Sequence, residues 1–221
     1  KWNPSDIWMV RSDFDFKCID DEKTLLGLNQ CIQDQLQQGK LIGISLKKMQ
    51  SGASLSSKNV FGDMKINKTY AGYEYSGKSI DGYIKLSGGT KIQFRSFGAG
   101  AGLTGFQGEV KGANANQGKI GLGPLNMILR AHGISQVSTN AANRVTSNPD
   151  AVFNEIALGL KKYARLSQKQ IEELKENEKI VTPKFLYSKL QITELINIIE
   201  SIRNKKVRDQ LVEDIYLYAS S

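Results

Sequence analysis

The sequence predicts an α/β protein of the α+β kind, with strands concentrated before about residue 145 and helices after it. Three observations predict this class. Short apolar and aromatic runs punctuated by glycine recur from Ile7 to Lys111. Leu25, Leu26, Leu28, Ile32 and Leu36 follow helical spacing instead. Beyond the polar stretch 140–148 lie three helical segments with proline at two of their starts.

In chain order, Ile7–Val10 follows Asn-Pro-Ser-Asp and reads as a strand entered from a turn. The acidic stretch 13–21 is turn-like, with Asp20 or Asp21 as N-cap of the helix that Gly39 ends. Residues 41–49 form a second strand ending in Lys47-Lys48, and 51–57 a Ser/Gly-rich loop. Residues 60–97 suggest two or more antiparallel strands, with Tyr70, Tyr73, Tyr75, Tyr83, Ile84, Ile92 and Phe94 at apolar positions. A glycine-dense connection covers 98–108, a further strand 106–111, and a helix 120–130 closed by His132-Gly133. Segment 140–148 reads as a linker. Helices are expected over 149–165, 167–178 and 183–218, the last breaking near Asn204-Lys205. We divide the chain into an α/β domain, 1–145, and a helical C-terminal region, 146–221.

Composition is that of an ordinary globular protein, 40% hydrophobic and 24% charged. Nothing approaches the ~20 apolar residues that span a bilayer, so no membrane partner is expected. The chain opens at Lys1 without an apolar signal core, and further sequence upstream is expected. Net charge of +8 favours a polyanionic partner, because lysine and arginine release counterions condensed on phosphates. Cys18 and Cys31 have no framework spacing and read as reduced thiols, which fits a cytoplasmic location, bacterial or host. The single His132 argues against zinc sites and Ser-His-Asp triads.

Phosphodiester hydrolysis needs carboxylates to hold a divalent cation and a positive group beside the attacking water. Asp6 stands at the mouth of the first strand. Ser45 and Lys47 share one face of the second, with Ile42, Ile44 and Leu46 on the other. At Pro4-Ser5-Asp6 and Ile44-Ser45-Leu46-Lys47 the chain resembles the PD-(D/E)xK nuclease superfamily, in the variant where a small polar residue replaces the acid. The resemblance covers roughly residues 1–50. It implies a restriction-endonuclease-like fold, a mixed central β-sheet flanked by helices, and Mg²⁺ or Mn²⁺ as cofactor. It also implies that Asp6 ligates the metal, that Ser45 assists through its hydroxyl or carbonyl, and that Lys47 positions or activates the water.

A second constellation is Glu109-Val110-Lys111, a Glu-x-Lys on one strand. Glu109 is either the second metal carboxylate beside Asp6 or the acid of the catalytic triplet itself, and a cross-strand ion pair is the plain alternative. Arg95, Lys111, Lys119 and Lys48 are the expected nucleic-acid contacts. Gly100-x-Gly102-x-x-Gly105 matches the dinucleotide fingerprint literally, but poor helix material follows it, so a mobile connection is expected. Trp2, Trp8 and the tyrosines at 70, 73 and 75 could stack on bases near Lys65, Lys68 and Lys78, although a sheet face is the commoner role. Lys161, Lys162, Arg165, Lys169, Arg203, Lys205, Lys206 and Arg208 offer a second, helical basic face or merely a solvated one. Two functions follow. One is metal-dependent DNA cleavage of restriction or phage type. The other is a non-catalytic DNA-binding or structural role in a virion or nucleoprotein, as a homodimer or in a larger complex.

Overall fold

A computed structural model of the chain describes residues 7–22, 24–44, 68–97, 103, 105–112 and 118–220. It divides into two compact units, 1–66 and 67–220. The helices after residue 145 therefore share a unit with the larger sheet.

In the first unit, β1 (Ile7–Val10) pairs antiparallel with β2 (Leu41–Ile44), and α1 (Lys17–Asp20) and α2 (Leu25–Gln37) lie between them in sequence. Its core is small. Phe14, Ile32 and Leu41 are buried, with Trp8, Ile19 and Leu28 packed against them. Thr24, rather than Asp20 or Asp21, caps α2. Its extended backbone lets the hydroxyl accept the Gly27 N–H at 3.0 Å, whereas Asp20 and Asp21 end α1. The helix stops just before Gly39, whose φ of 66° suits glycine. Cys18 and Cys31 form a disulfide, which corrects the expectation of reduced thiols. Their α-carbons come within 5.9 Å, inside the reach of a bridge.

The second unit carries a five-stranded meander: β3 (Tyr70–Tyr75), β4 (Gly82–Leu86), β5 (Lys91–Ser96), β6 (Phe106–Lys111) and β7 (Lys119–Gly121). The α+β class is the expected one. Every pairing among the described strands is antiparallel, however, where the resemblance implied a mixed sheet. Within this sheet the connections 76–81, 87–90, 97–105 and 112–118 are too short for helical crossovers of a dozen or more residues.

Then follow α3 (Leu122–Ala131), α4 (Ala141–Ser147), α5 (Pro149–Tyr163), α6 (Gln168–Lys175), α7 (Pro183–Ser201) and α8 (Lys205–Ser220). The helix expected from 120 begins at Leu122, because Ile120 is the buried residue of β7 and Gly121 is extended. The expected linker at 140–148 is mostly helix, since Ala141 and Val145, one turn apart, are both buried. Pro149 and Pro183 open their helices as expected, behind Asn148 and Thr182 caps. His132 closes α3 and hydrogen-bonds the Asp214 carboxylate on α8 at 2.8 Å through Nε2.

The sheet buries one face and opens the other. Ile84, Leu86, Ile92, Phe94, Phe106, Val110 and Ile120 point into the core. Gly108 leaves room for the Phe94 ring, since a Cβ there would lie 2.6 Å from Cε1. Beneath them runs α7, buried on nearly every side between the sheet and α4 and α5. Its buried polar residues find partners in this environment. Ser188 accepts the Ser96 N–H at 3.0 Å, Gln191 donates to the Ser138 carbonyl at 2.9 Å, and Thr193 bonds the Tyr75 hydroxyl at 2.7 Å. Glu194 accepts the Ser138 N–H and pairs with Arg144, and burial raises its carboxyl above the ordinary range. Lys189 is fully buried, donates to the Asp81 carbonyl at 2.8 Å and lies 4.3 Å from the Tyr75 ring centre.

Helix α8 meets the outer edge of the sheet at β3. Glu213 accepts the Lys68 N–H at 3.3 Å and Asp209 accepts that of Tyr70 at 3.0 Å, where a further strand would otherwise attach.

One backbone position holds strain. Arg165, just past α5, has φ of 55°, the only positive value outside glycine among the described residues. Arg165→Gly is expected to raise stability by about 1 kcal/mol, read as the chemical-denaturation midpoint. A lowered midpoint would refute this.

Candidate nucleic-acid interface

The face of the five-stranded sheet turned away from α7 is built by strand alternation. Tyr83 and Lys85 on β4, Lys91, Gln93 and Arg95 on β5, and Glu109 and Lys111 on β6 all point outward. Register turns these residues into rows across the sheet. Lys85 stands opposite Lys91, and Lys91 opposite Lys111. The adjacent row runs Glu74, Tyr83, Gln93, Glu109 and Lys119.

Like charges directly opposite one another destabilise a sheet, so the lysine row carries a cost. Carboxylates from the adjacent row lower that cost. Glu74 pairs with Lys91 at 2.7 Å and Glu109 with Lys111 at 2.8 Å. Lys85 has no ion-pair partner among the described residues. The Lys111 ammonium, bonded to Glu109, holds that carboxyl below its usual range against opposing desolvation; Lys119 and Arg95 add to the effect.

At the far end of the rows, the Arg95 guanidinium lies 4.7 Å from the Phe97 ring centre and the Lys119 ammonium 5.5 Å from it. Arg95 also reaches the Asp81 carboxylate at 3.4 Å, while its Nε is buried without a partner. Gln93 donates from its amide to the Tyr83 hydroxyl at 3.1 Å.

The structure thus brings Glu109, Arg95, Lys111 and Lys119 together on one surface. Asp6, Ser45, Lys47, Lys48, Trp2 and Lys65 lie outside the described residues. For Glu109 to hold a divalent cation several further oxygen ligands would have to join it, and Asp6, the other expected ligand, lies outside the described residues. The charged neighbours of Glu109 are Lys111, Lys119 and Arg95, and among the described residues no three His, Cys, Asp or Glu side chains gather.

Other expected contacts fall elsewhere. Trp8 packs in the small core, and Tyr73 and Tyr75 meet Tyr163 edge to face. Tyr70 bonds Glu200 and lies under Arg208, and burial pushes its hydroxyl above the ordinary phenol range. These aromatics serve packing. Of the helical cations, Lys169 and Lys205 pair with Glu173 and Asp209 of their own helices. Gly105 accepts the Phe97 N–H at 3.0 Å between two antiparallel strands, whereas Gly100 and Gly102 of the glycine fingerprint lie outside the described residues.

The residues that the sequence reading missed are Lys85, Lys91, Gln93 and Phe97. Period-two alternation in Tyr83-x-Lys85 and Lys91-x-Gln93-x-Arg95-x-Phe97 was the signal for them. What defines this surface is an open antiparallel sheet face with a cationic row at one end and a cation-flanked aromatic at the other. The chain matches no known protein family, no curated protein and no solved structure.

Proposed function

We propose that this chain binds nucleic acid through the open face of its five-stranded sheet, as a non-catalytic or structural component of a nucleoprotein or virion. The observation that carries this reading is the row of three lysines in direct register, Lys85, Lys91 and Lys111. Such a row costs stability in the isolated protein, and phosphates laid across it would relieve that cost. Binding of a fluorescein-labelled oligonucleotide, followed by anisotropy across a salt series, tests this. The Lys85→Glu/Lys111→Glu chain should lose roughly tenfold or more in affinity and show a shallower salt dependence. Undiminished binding in that variant would overturn the reading.

Metal-dependent cleavage of DNA is the second reading, favoured by Glu109 and Lys111 sharing a strand face as a Glu-x-Lys requires. Glu109→Gln separates the two. It should abolish Mg²⁺-dependent plasmid cleavage if the chain is a nuclease. If the chain only binds, it should preserve or tighten binding, because a negative charge leaves a phosphate-facing surface.

No helix among the described residues is long and apolar enough to cross a membrane. The Cys18–Cys31 bond favours an oxidising compartment or a virion surface over the reducing cytosol.

A further inference from the structure

We propose that a hollow beside Tyr83 is a subsite for one unpaired base of a single-stranded nucleic acid. This rests on the reading of the sheet face as a nucleic-acid surface. The hollow is an open depression of about 400 Å³, and its lining includes Tyr83, Gln93, Lys91, Lys111, Glu74 and Gly89.

Its chemistry is mixed in a specific way. The Tyr83 ring is held at its tip by the Gln93 amide. The Lys91 ammonium stands 5.6 Å from the ring centre and 2.7 Å from the Glu74 carboxylate. An aromatic plane, a carboxylate acceptor and two ammonium groups therefore share one concavity. A nucleotide is complementary to that set: a flat ring to lie against tyrosine, exocyclic N–H groups for Glu74, and a phosphate for Lys91 and Lys111.

Duplex DNA suits the hollow poorly. Its bases are already stacked on both faces and paired along their edges, so none can enter a concavity without being flipped out. Glu74, Asp81 and Glu109 on the same face also repel a continuous array of phosphates. A second aromatic extends the track. Phe97, just past the end of β5, lies four residues from Gln93, the cross-strand partner of Tyr83, which is on the order of 13 Å in extended chain. It is flanked there by Arg95 and Lys119.

The test compares a labelled oligodeoxycytidine strand, whose bases carry an exocyclic amino group, with the same strand annealed to its complement, on the native chain, Tyr83→Leu and Tyr83→Trp. The single strand should bind the native chain at least tenfold more tightly than the duplex. Tyr83→Leu should lose roughly tenfold or more on the single strand. Tyr83→Trp should restore that loss, and its added fluorescence should be quenched by the oligonucleotide. Equal affinity for both probes, or single-strand binding indifferent to Tyr83→Leu, overturns the subsite while the lysine-row reading survives if Lys85→Glu/Lys111→Glu still weakens binding. A native chain that binds neither probe overturns both.

Discussion

Reducing the Cys18–Cys31 bond is expected to lower the stability of the 1–66 unit by about 3 kcal/mol, the loop-closure entropy of a cross-link spanning 13 residues. The loss is large for this unit because the core among its described residues is thin, with Phe14, Ile32 and Leu41 as its buried cluster. Placement of the aromatic probes allows a clean measurement. Both tryptophans of the sequence, Trp2 and Trp8, belong to this unit, so indole fluorescence reports it alone. Far-ultraviolet circular dichroism is dominated by the helices of the other unit. Dithiothreitol, or the Cys18→Ser/Cys31→Ser change, should move the fluorescence transition to lower denaturant and leave most of the dichroism transition in place. A fluorescence midpoint unmoved by either treatment would show that the bond contributes nothing to stability.

Replacing Lys189 should have an effect of similar size and opposite sign. Burial pulls its ammonium down to about 7, against the opposing pull of the Asp81 carboxylate. Asp81 and the ring of Tyr75 face the amine, and Arg95 meets Asp81 from the other side of the sheet. The folded value lies below the ordinary 10.5, so between those limits the unfolded chain binds the extra proton. Unfolding free energy should therefore rise with pH from about 7 towards 10, by up to about 1.4 kcal/mol per pH unit. Below about 7 the cost of holding a buried ammonium is fully present. Lys189→Met removes the charge at similar volume and should stabilise the 67–220 unit by on the order of 3 kcal/mol at pH 6, with a smaller gain at pH 9.5. Denaturation followed by circular dichroism at the two pH values gives the comparison. Identical pH responses in the native chain and the Lys189→Met variant would mean that the amine is not held in the way described.

The contrast between what could and could not be foreseen has physical causes. Regular elements driven by local periodicity were legible. The α2 stripe, the proline-opened α5 and α7, and the break before Lys205 all lie where spacing and capping residues place them. Segment 140–148 was misread because its polar composition masks two small buried positions, Ala141 and Val145, whose meaning depends on α7 lying behind them. The disulfide could not be foreseen, since two cysteines thirteen residues apart say nothing until the chain turns back between α1 and α2. The candidate site was half legible. Glu109 and Lys111 declare a shared face by their spacing, but Lys85 and Lys91 join them only through inter-strand register, a long-range property. Lys189 carries no signal of its own in the sequence; only the burial of α7 on nearly all sides gives it significance.

The two carboxylates that α8 sets against the start of β3 also bear on how this protein meets others of its kind. An incoming β-segment would have to evict Asp209 and Glu213 from the amides of Tyr70 and Lys68 before it could zip onto that margin. At the opposite margin β7 offers a template only three residues long. Edge-on growth into fibres or ribbons is thus disfavoured at both borders, and any higher-order array built from this unit should join through broad surfaces rather than by extending the hydrogen-bonded ladder.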